Sequence, residues 1–144
     1  MKIFVDADGC PVTRLTADIA REYGVECIII CDTSHSIEIE FVRTVTVDKG
    51  ADSADYKIAN MISDGDIAVT QDYGLAAMCL GKKAKALNQN GLVYSEKNID
   101  SLLFSRHVAK KVRNGGGRLK GPKKRSPEDD KSFESALRKL INPI

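Results

Sequence analysis

Apolar positions along this chain alternate between two periods. Residues 2–6 (KIFVD) form an apolar run that ends on an acid, and residues 25–31 (VECIIIC) form a longer β-branched run. Both have the pattern of strands covered on two faces. Between them Val12, Leu15, Ile19 and Tyr23 recur at helical spacing, with Pro11 suited to the first turn and Gly24 to the stop. DTSHS predicts a turn, residues 37–42 fit neither period, and residues 43–47 (RTVTV) predict a third strand. Ala54, Ile58, Met61 and Ile62 mark a helix over 51–62, and DGD turns into a fourth strand at 67–70 (IAVT). GLAAMCL predicts a short helix closed by Gly81, followed by a fifth strand at 84–87 (AKAL). Ser95 caps a helix running to about Arg113, with Ile99, Leu102, Leu103 and Ala109 inward. NGGGRLKGPKKR (114–125) supports no regular period and predicts a flexible basic loop. Ser126, Pro127 and Asp129 then start a helix that presents Phe133, Leu137, Leu140 and Ile141 on one stripe.

Strands alternating with helices at this spacing predict an α/β chain, and right-handed crossovers make it a three-layer α/β/α sandwich. The expected sheet is mainly parallel, with about five strands. A single domain over 1–144 is expected: an α/β core (1–94), a helix (95–113), the basic loop (114–125) and a C-terminal helix (126–144) packing on the core.

Composition adds limits. The chain is 42% apolar and 29% charged, which excludes a wholly disordered polymer. Asp6 interrupts the only apolar run near the start, so no signal peptide is read, and no run approaches the roughly 18 apolar residues of a membrane span. Cys10, Cys27, Cys31 and Cys79 form no CxxC pair. A cytoplasmic protein with reduced thiols is the expectation. Charge is uneven: residues 1–100 hold 10 Lys/Arg against 16 Asp/Glu, whereas residues 101–125 hold nine cations and no acid. Such a basic segment supplies salt-dependent, sequence-independent affinity for a polyanion. Lys110, Lys111, Arg113, Arg118, Lys120, Lys123, Lys124 and Arg125 are its candidate contacts, with RNA as the partner. A solvated linker is the plainer reading.

The acids carry the chemistry. Ligand sites in open parallel sheets lie beyond the carboxyl ends of the strands. Asp6 and Asp8 fall at that end of the first strand, Asp72 falls just past the fourth, and Asp52 and Asp55 begin the helix after the third. Carboxylates gathered at one edge repel unless a cation neutralises them, and Mg²⁺ or Mn²⁺ suits all-oxygen ligands. Such an ion activates water and clamps charge developing on a phosphoryl group. Asp6, Asp8, Asp52, Asp55 and Asp72 are therefore the candidate ligands; Asp6, Asp8 and Asp72 are also the candidate catalytic residues, with Thr70 orienting a ligand. Capping explains Asp52 and Asp55 equally well, and a turn explains Asp8-Gly9. Asp64 and Asp66 sit in a turn at the opposite edge and read as structural. His35 and His107 read as surface residues, and neighbouring carboxylates oppose a reactive Cys10 thiolate.

MKIFVDADGCPV, DKGADSADYKIA and DGDIAVTQDYGLAAMCLGKKAKAL, followed by SP before the last helix, together resemble the bacterial YaiI/YqxD family. That family is grouped with PIN-like domains, which include metal-dependent ribonucleases. The resemblance implies a PIN-like fold with a divalent metal at the acidic cluster. It matches Asp6 to the PIN aspartate of the first strand and Asp72 to the one after the fourth. Asp52 in KGAD is similar to the acid opening the middle helix of NYN-type domains, and Asp8 and Asp55 belong to the family's own pattern.

Two other readings stay open. VDADGCPV also resembles the first motif of haloacid-dehalogenase-type phosphatases, where Asp6 would be the nucleophile and Lys49 or Lys57 the missing lysine. A non-catalytic nucleic-acid-binding module would use the basic segment alone.

Overall fold

The computed structural model describes residues 1–32, 38–50, 53–116 and 124–143. Five strands, β1 (Lys2–Asp6), β2 (Glu26–Asp32), β3 (Arg43–Val47), β4 (Ile67–Val69) and β5 (Lys85–Leu87), form one sheet in the order β3-β2-β1-β4-β5. Every pairing between them is parallel, so the sheet is fully rather than mainly parallel. Five helices accompany it: α1 (Thr13–Tyr23), α2 (Ser53–Met61), α3 (Tyr73–Gly81), α4 (Glu96–Asn114) and α5 (Pro127–Ile141).

The period-2 alternation of the strands builds two cores. Ile3, Val5, Cys27, Ile29, Ile67 and Val69 point to the face covered by α1 and α5, where Phe133 and Leu137 are fully buried. Phe4, Ile28, Ile30 and Ala68 point to the other face, beneath Ile58 of α2, Leu75 and Cys79 of α3 and Ile99 of α4. Burying one aliphatic side chain of this size stabilises the fold by about 1.5–3 kcal/mol. The sheet is therefore clamped between two apolar layers.

Local chemistry sets the ends of the elements. Gly24 takes a left-handed φ of 67° and stops α1 as expected. Pro11 does not start that helix: Cys10 N–H bonds Ala7 O at 3.0 Å, and this turn carries the chain through Pro11 before α1 begins at Thr13. Gly81 is the last residue of α3 rather than its stop, and the left-handed φ of 63° falls on Lys83. Ser95 caps α4 reciprocally with Asn98, and Asp129 Oδ2 accepts the Ser126 N–H at 2.9 Å at the start of α5. Gly91 is required by contact as well as by its φ of 87°, because a Cβ there would stand 2.5 Å from Ser132 O. Along α4, Ile99 is buried and Leu102, Leu103 and Ala109 are half-buried, but Phe104, Val108 and Val112 face solvent.

Asp66 is buried at the amino edge of the sheet. Its carboxylate accepts Lys2 N–H at 2.9 Å, Ser63 N–H at 3.0 Å and Ser63 Oγ–H at 3.1 Å. It is a structural tie, as the sequence suggested.

Candidate metal and phosphate site

The strand order places the site. From β1 the chain crosses to β2 on one side, while β4 pairs with β1 on the other, so the connections leave these two neighbours in opposite directions. A crevice forms beyond the carboxyl ends at such a switch point. Asp6 ends β1, and Asp72 lies three residues past the end of β4.

Thr70 joins the two. Its hydroxyl donates to Asp6 Oδ2 at 2.9 Å and accepts the Asp72 N–H at 3.0 Å. Asp72 is also the N-cap of α3, its Oδ1 accepting Leu75 N–H at 3.1 Å. Asp8 is tied to the end of β2, where Asp32 N–H donates to its Oδ1 at 3.3 Å. The result is a cleft of about 490 Å³ lined by Asp6, Asp8, Gly9, Gln71, Asp72, Tyr73 and Arg106. Asp55 borders an adjoining groove that shares Asp72 and Arg106, and its carboxyl hydrogen-bonds Asp72. Asp52 lies outside the described residues.

The carboxyls of Asp6 and Asp72 are driven in opposite directions. Burial pushes Asp6 above the usual carboxylate range; the Thr70 bond opposes this, while the charges of Asp8 and Asp72 add to it. Burial also acts upward on Asp72. There the hydrogen bond with Asp55, the N–H groups of Leu75 and Gly74 and the Arg106 guanidinium win, holding it below the usual range. Arg106 NH1 stands 3.9 Å from Asp72 Oδ1 on a largely exposed side chain. Two carboxyls in hydrogen-bond contact share a proton or hold a cation between them.

The donor set is all carboxylate oxygen, which fits Mg²⁺ or Mn²⁺ rather than a thiolate- or imidazole-seeking ion. Among the described residues no three His, Cys, Asp or Glu side chains form a ready cage. The fit is accordingly to an ion that keeps several waters and takes one or two carboxylates. Burial raises the Cys10 thiol, which opposes a nucleophilic role. Cys27 and Cys79 are buried and pushed up to about 12.

Of the basic candidates, Lys110, Lys111 and Arg113 lie exposed on α4 and Lys124 is exposed before α5, whereas Arg118, Lys120 and Lys123 lie outside the described residues. Arg125 is not a free cation. Its guanidinium bonds Asp130 Oδ1, Asn90 Oδ1 and Gln89 O, tying the segment after β5 to the start of α5. Sequence reading missed Arg106 as a site residue, although 99, 102 or 103, and 106 continue one inward stripe of α4. An arginine on that stripe was the available signal.

The family model described as "Uncharacterized BCR, YaiI/YqxD family" matches residues 4–143. The chain belongs to this family. The UPF0178 protein of Ruminiclostridium cellulolyticum is 54% identical over 99% of this chain and 94% of its own length. The UPF0178 protein of Exiguobacterium sibiricum is 48% identical, with 98% and 96% covered. Among solved structures, Rae1 (YacP) from Bacillus subtilis aligns over 99% of both chains, at 13% identity and a TM-score of 0.49. That likeness is too remote to carry a fold or an activity across. Among the described residues no helix is long and apolar enough to cross a membrane.

Proposed function

We propose that this protein is a PIN-like, Mg²⁺- or Mn²⁺-dependent hydrolase that cleaves RNA phosphodiesters at the Asp6–Asp8–Asp72 cleft. The observation that carries the reading is the convergence of carboxylates from separate segments at one switch point, with Asp6 under repulsion from its neighbours. A bound divalent ion would relieve that repulsion, lower the pKa of a coordinated water and offset charge on the phosphoryl oxygens. Asp6, Asp8 and Asp72 would hold it, with Asp55 alongside. Thr70 fixes the Asp6 carboxylate, and Arg106 at the rim meets a phosphate oxygen. Lys110, Lys111 and Arg113 continue the positive charge along α4 away from Arg106, which suits a polyanion longer than one nucleotide.

The phosphatase reading fares worse. Among the described residues no lysine lines the cleft, and Lys57 lines a separate groove beside Asp48. The non-catalytic module differs from the nuclease by experiment. Purified protein is incubated with a mixed RNA pool in Mg²⁺, in Mn²⁺ and in EDTA, with Asp72→Asn as control. Asparagine also caps helices, so that variant keeps the start of α3. Metal-dependent fragments that vanish in Asp72→Asn are expected. Intact RNA in every metal would overturn the nuclease reading.

A further inference from the structure

Among the described residues, the aromatic rings that stand out to solvent are Tyr23, Tyr56 and Phe104. Their settings differ. The Arg138 guanidinium lies over the Tyr23 ring, 5.7 Å from its centroid, so that ring has a partner. Phe104 is on α4, two residues before Arg106. Two residues turn a helix by roughly 200°, which puts Phe104 on the side of α4 away from Arg106. Tyr56 is the remaining ring. It lies on α2, 63% exposed, and borders the groove of about 390 Å³ that adjoins the acidic cleft.

Shared side chains join that groove to the cleft, because Asp72 and Arg106 line both. Met78 of α3, 41% exposed, lines the groove together with Tyr56. Tyr56 also lines the separate groove that holds Lys57, so its side chain is open to solvent from two grooves. A single exposed apolar side chain is ordinary on a protein surface. Here a ring and a thioether from two helices line one groove, directly beside carboxylates that suit a metal ion and a guanidinium that suits a phosphate. A nucleotide carries the matching pair in one molecule, an anionic phosphate and a flat base with a π face. A free phosphate would leave the groove unfilled, and an aliphatic chain has no flat face to lay on Tyr56.

We propose that this groove is a nucleobase subsite for an RNA nucleotide bound at the acidic cleft, with the base stacked on the Tyr56 ring and touching Met78. The inference rests on the RNA reading above and deepens it. Stacking on an aromatic side chain adds affinity for any base, since every base has a π face. Tyr56 is thus a binding residue, and the chemistry stays with the acids.

The test is fluorescence anisotropy in Mg²⁺ with two labelled probes of equal length, an oligouridylate and an abasic ribose-phosphate oligomer, read while a gel shows both intact. The probes carry the same charge, so the ratio of their affinities isolates the base. Wild-type protein is expected to bind the oligouridylate about fivefold more tightly or better, the lower end of what one base–aromatic stack contributes. Tyr56→Ala should bring the oligouridylate down to the abasic level and leave the abasic probe unchanged. Tyr56→Phe, which keeps the ring, should bind both as wild type does. The melting temperature of Tyr56→Ala should hold, because the side chain is exposed and alanine favours the helix. An unchanged base preference in Tyr56→Ala, or wild-type protein binding both probes alike, would overturn the subsite and leave the cleavage reading standing. A loss on both probes alike in Tyr56→Ala, or a melting temperature several degrees lower, would also overturn it, by making the ring part of the fold. Wild-type protein that binds neither probe would overturn subsite and RNA reading together.

Discussion

Thr70 is where the site's stability and its chemistry can be separated. The side chain is 1% exposed, and its hydroxyl serves Asp6 Oδ2 and Asp72 N–H at once. Thr70→Val keeps the shape, so no cavity opens and the hydroxyl alone is removed. The bond to the Asp6 carboxylate is charge-assisted and contributes about 1.5–3 kcal/mol, and the neutral bond from Asp72 N–H about 0.5–1.5 kcal/mol. The expected loss at neutral pH is therefore about 2–4 kcal/mol. For a chain of this size that lowers the melting temperature by roughly 6–15 °C. The assay is thermal unfolding by circular dichroism in EDTA, across a pH series.

The sign of the pH dependence follows from Asp6. Its folded-state pKa is raised, so its contribution to stability is full below the unfolded value of 3.8 and is lost as pH rises through the folded one. Thr70 offsets part of that loss by donating to the ionised form. Without the hydroxyl the folded pKa rises further. The penalty of Thr70→Val should thus be greatest at neutral pH and shrink as the pH falls through the Asp6 transition. Thr70→Ser, which keeps the donor, should recover most of the loss. A valine variant melting within 1 °C of wild type at neutral pH, or a penalty independent of pH, would refute the reasoning.

Other outcomes follow from the same geometry. Millimolar Mg²⁺ or Mn²⁺ should raise the wild-type melting temperature by binding the native state; Asp6→Asn should relieve the repulsion on that carboxyl in EDTA, and combining it with Asp72→Asn should abolish the metal response. Gly91→Ala should cost about 2–4 kcal/mol in denaturant unfolding, combining a left-handed φ with a Cβ forced against Ser132 O. Lys110, Lys111 and Arg113 changed to Ser should leave the melting temperature in place and reduce the salt slope of RNA binding by about 0.7 for each phosphate that is no longer neutralised. Arg125→Ser should instead lower the melting temperature, because its partners lie on two separated segments.

Much of the fold was legible because each strand carries its burial in its own residues. VECIIIC predicted a doubly covered strand, and residues 27–31 of β2 are all buried. Asp6 was legible for a related reason, since an acid closing an apolar run is costly without a partner, and Asp72 from its position just past the fourth strand. What the sequence could not show was neighbour order. Nothing local to KIFVD or IAVT states that these strands pair, so the Thr70 bridge and the Asp55–Asp72 contact follow only from the assembled sheet. Arg125 and Arg106 were misjudged from opposite sides. Both looked like members of one basic run, yet one is consumed by Asp130 and Asn90 and the other reaches Asp72. A charge run records composition, and partners are set by which turn of a helix meets which strand end.

The same distinction bears on what the acids are for. Asp66 and Asp6 both lie at ends of buried strands, but Asp66 is surrounded by three donors from Lys2 and Ser63. Asp6 has one hydroxyl and two neighbouring negative charges. A carboxylate that only holds the fold together gathers N–H groups around it. One kept under repulsion lowers native stability at neutral pH, and that cost is recovered when a cation arrives. Asp72 sits between these cases, satisfied by Leu75 and Arg106 and still facing Asp6 across the cleft. In the proposed reading Asp72 keeps its charge and its place in the absence of an ion. Asp6 supplies the stored repulsion that makes binding one favourable. The division explains why a single hydroxyl, on Thr70, is shared between the two.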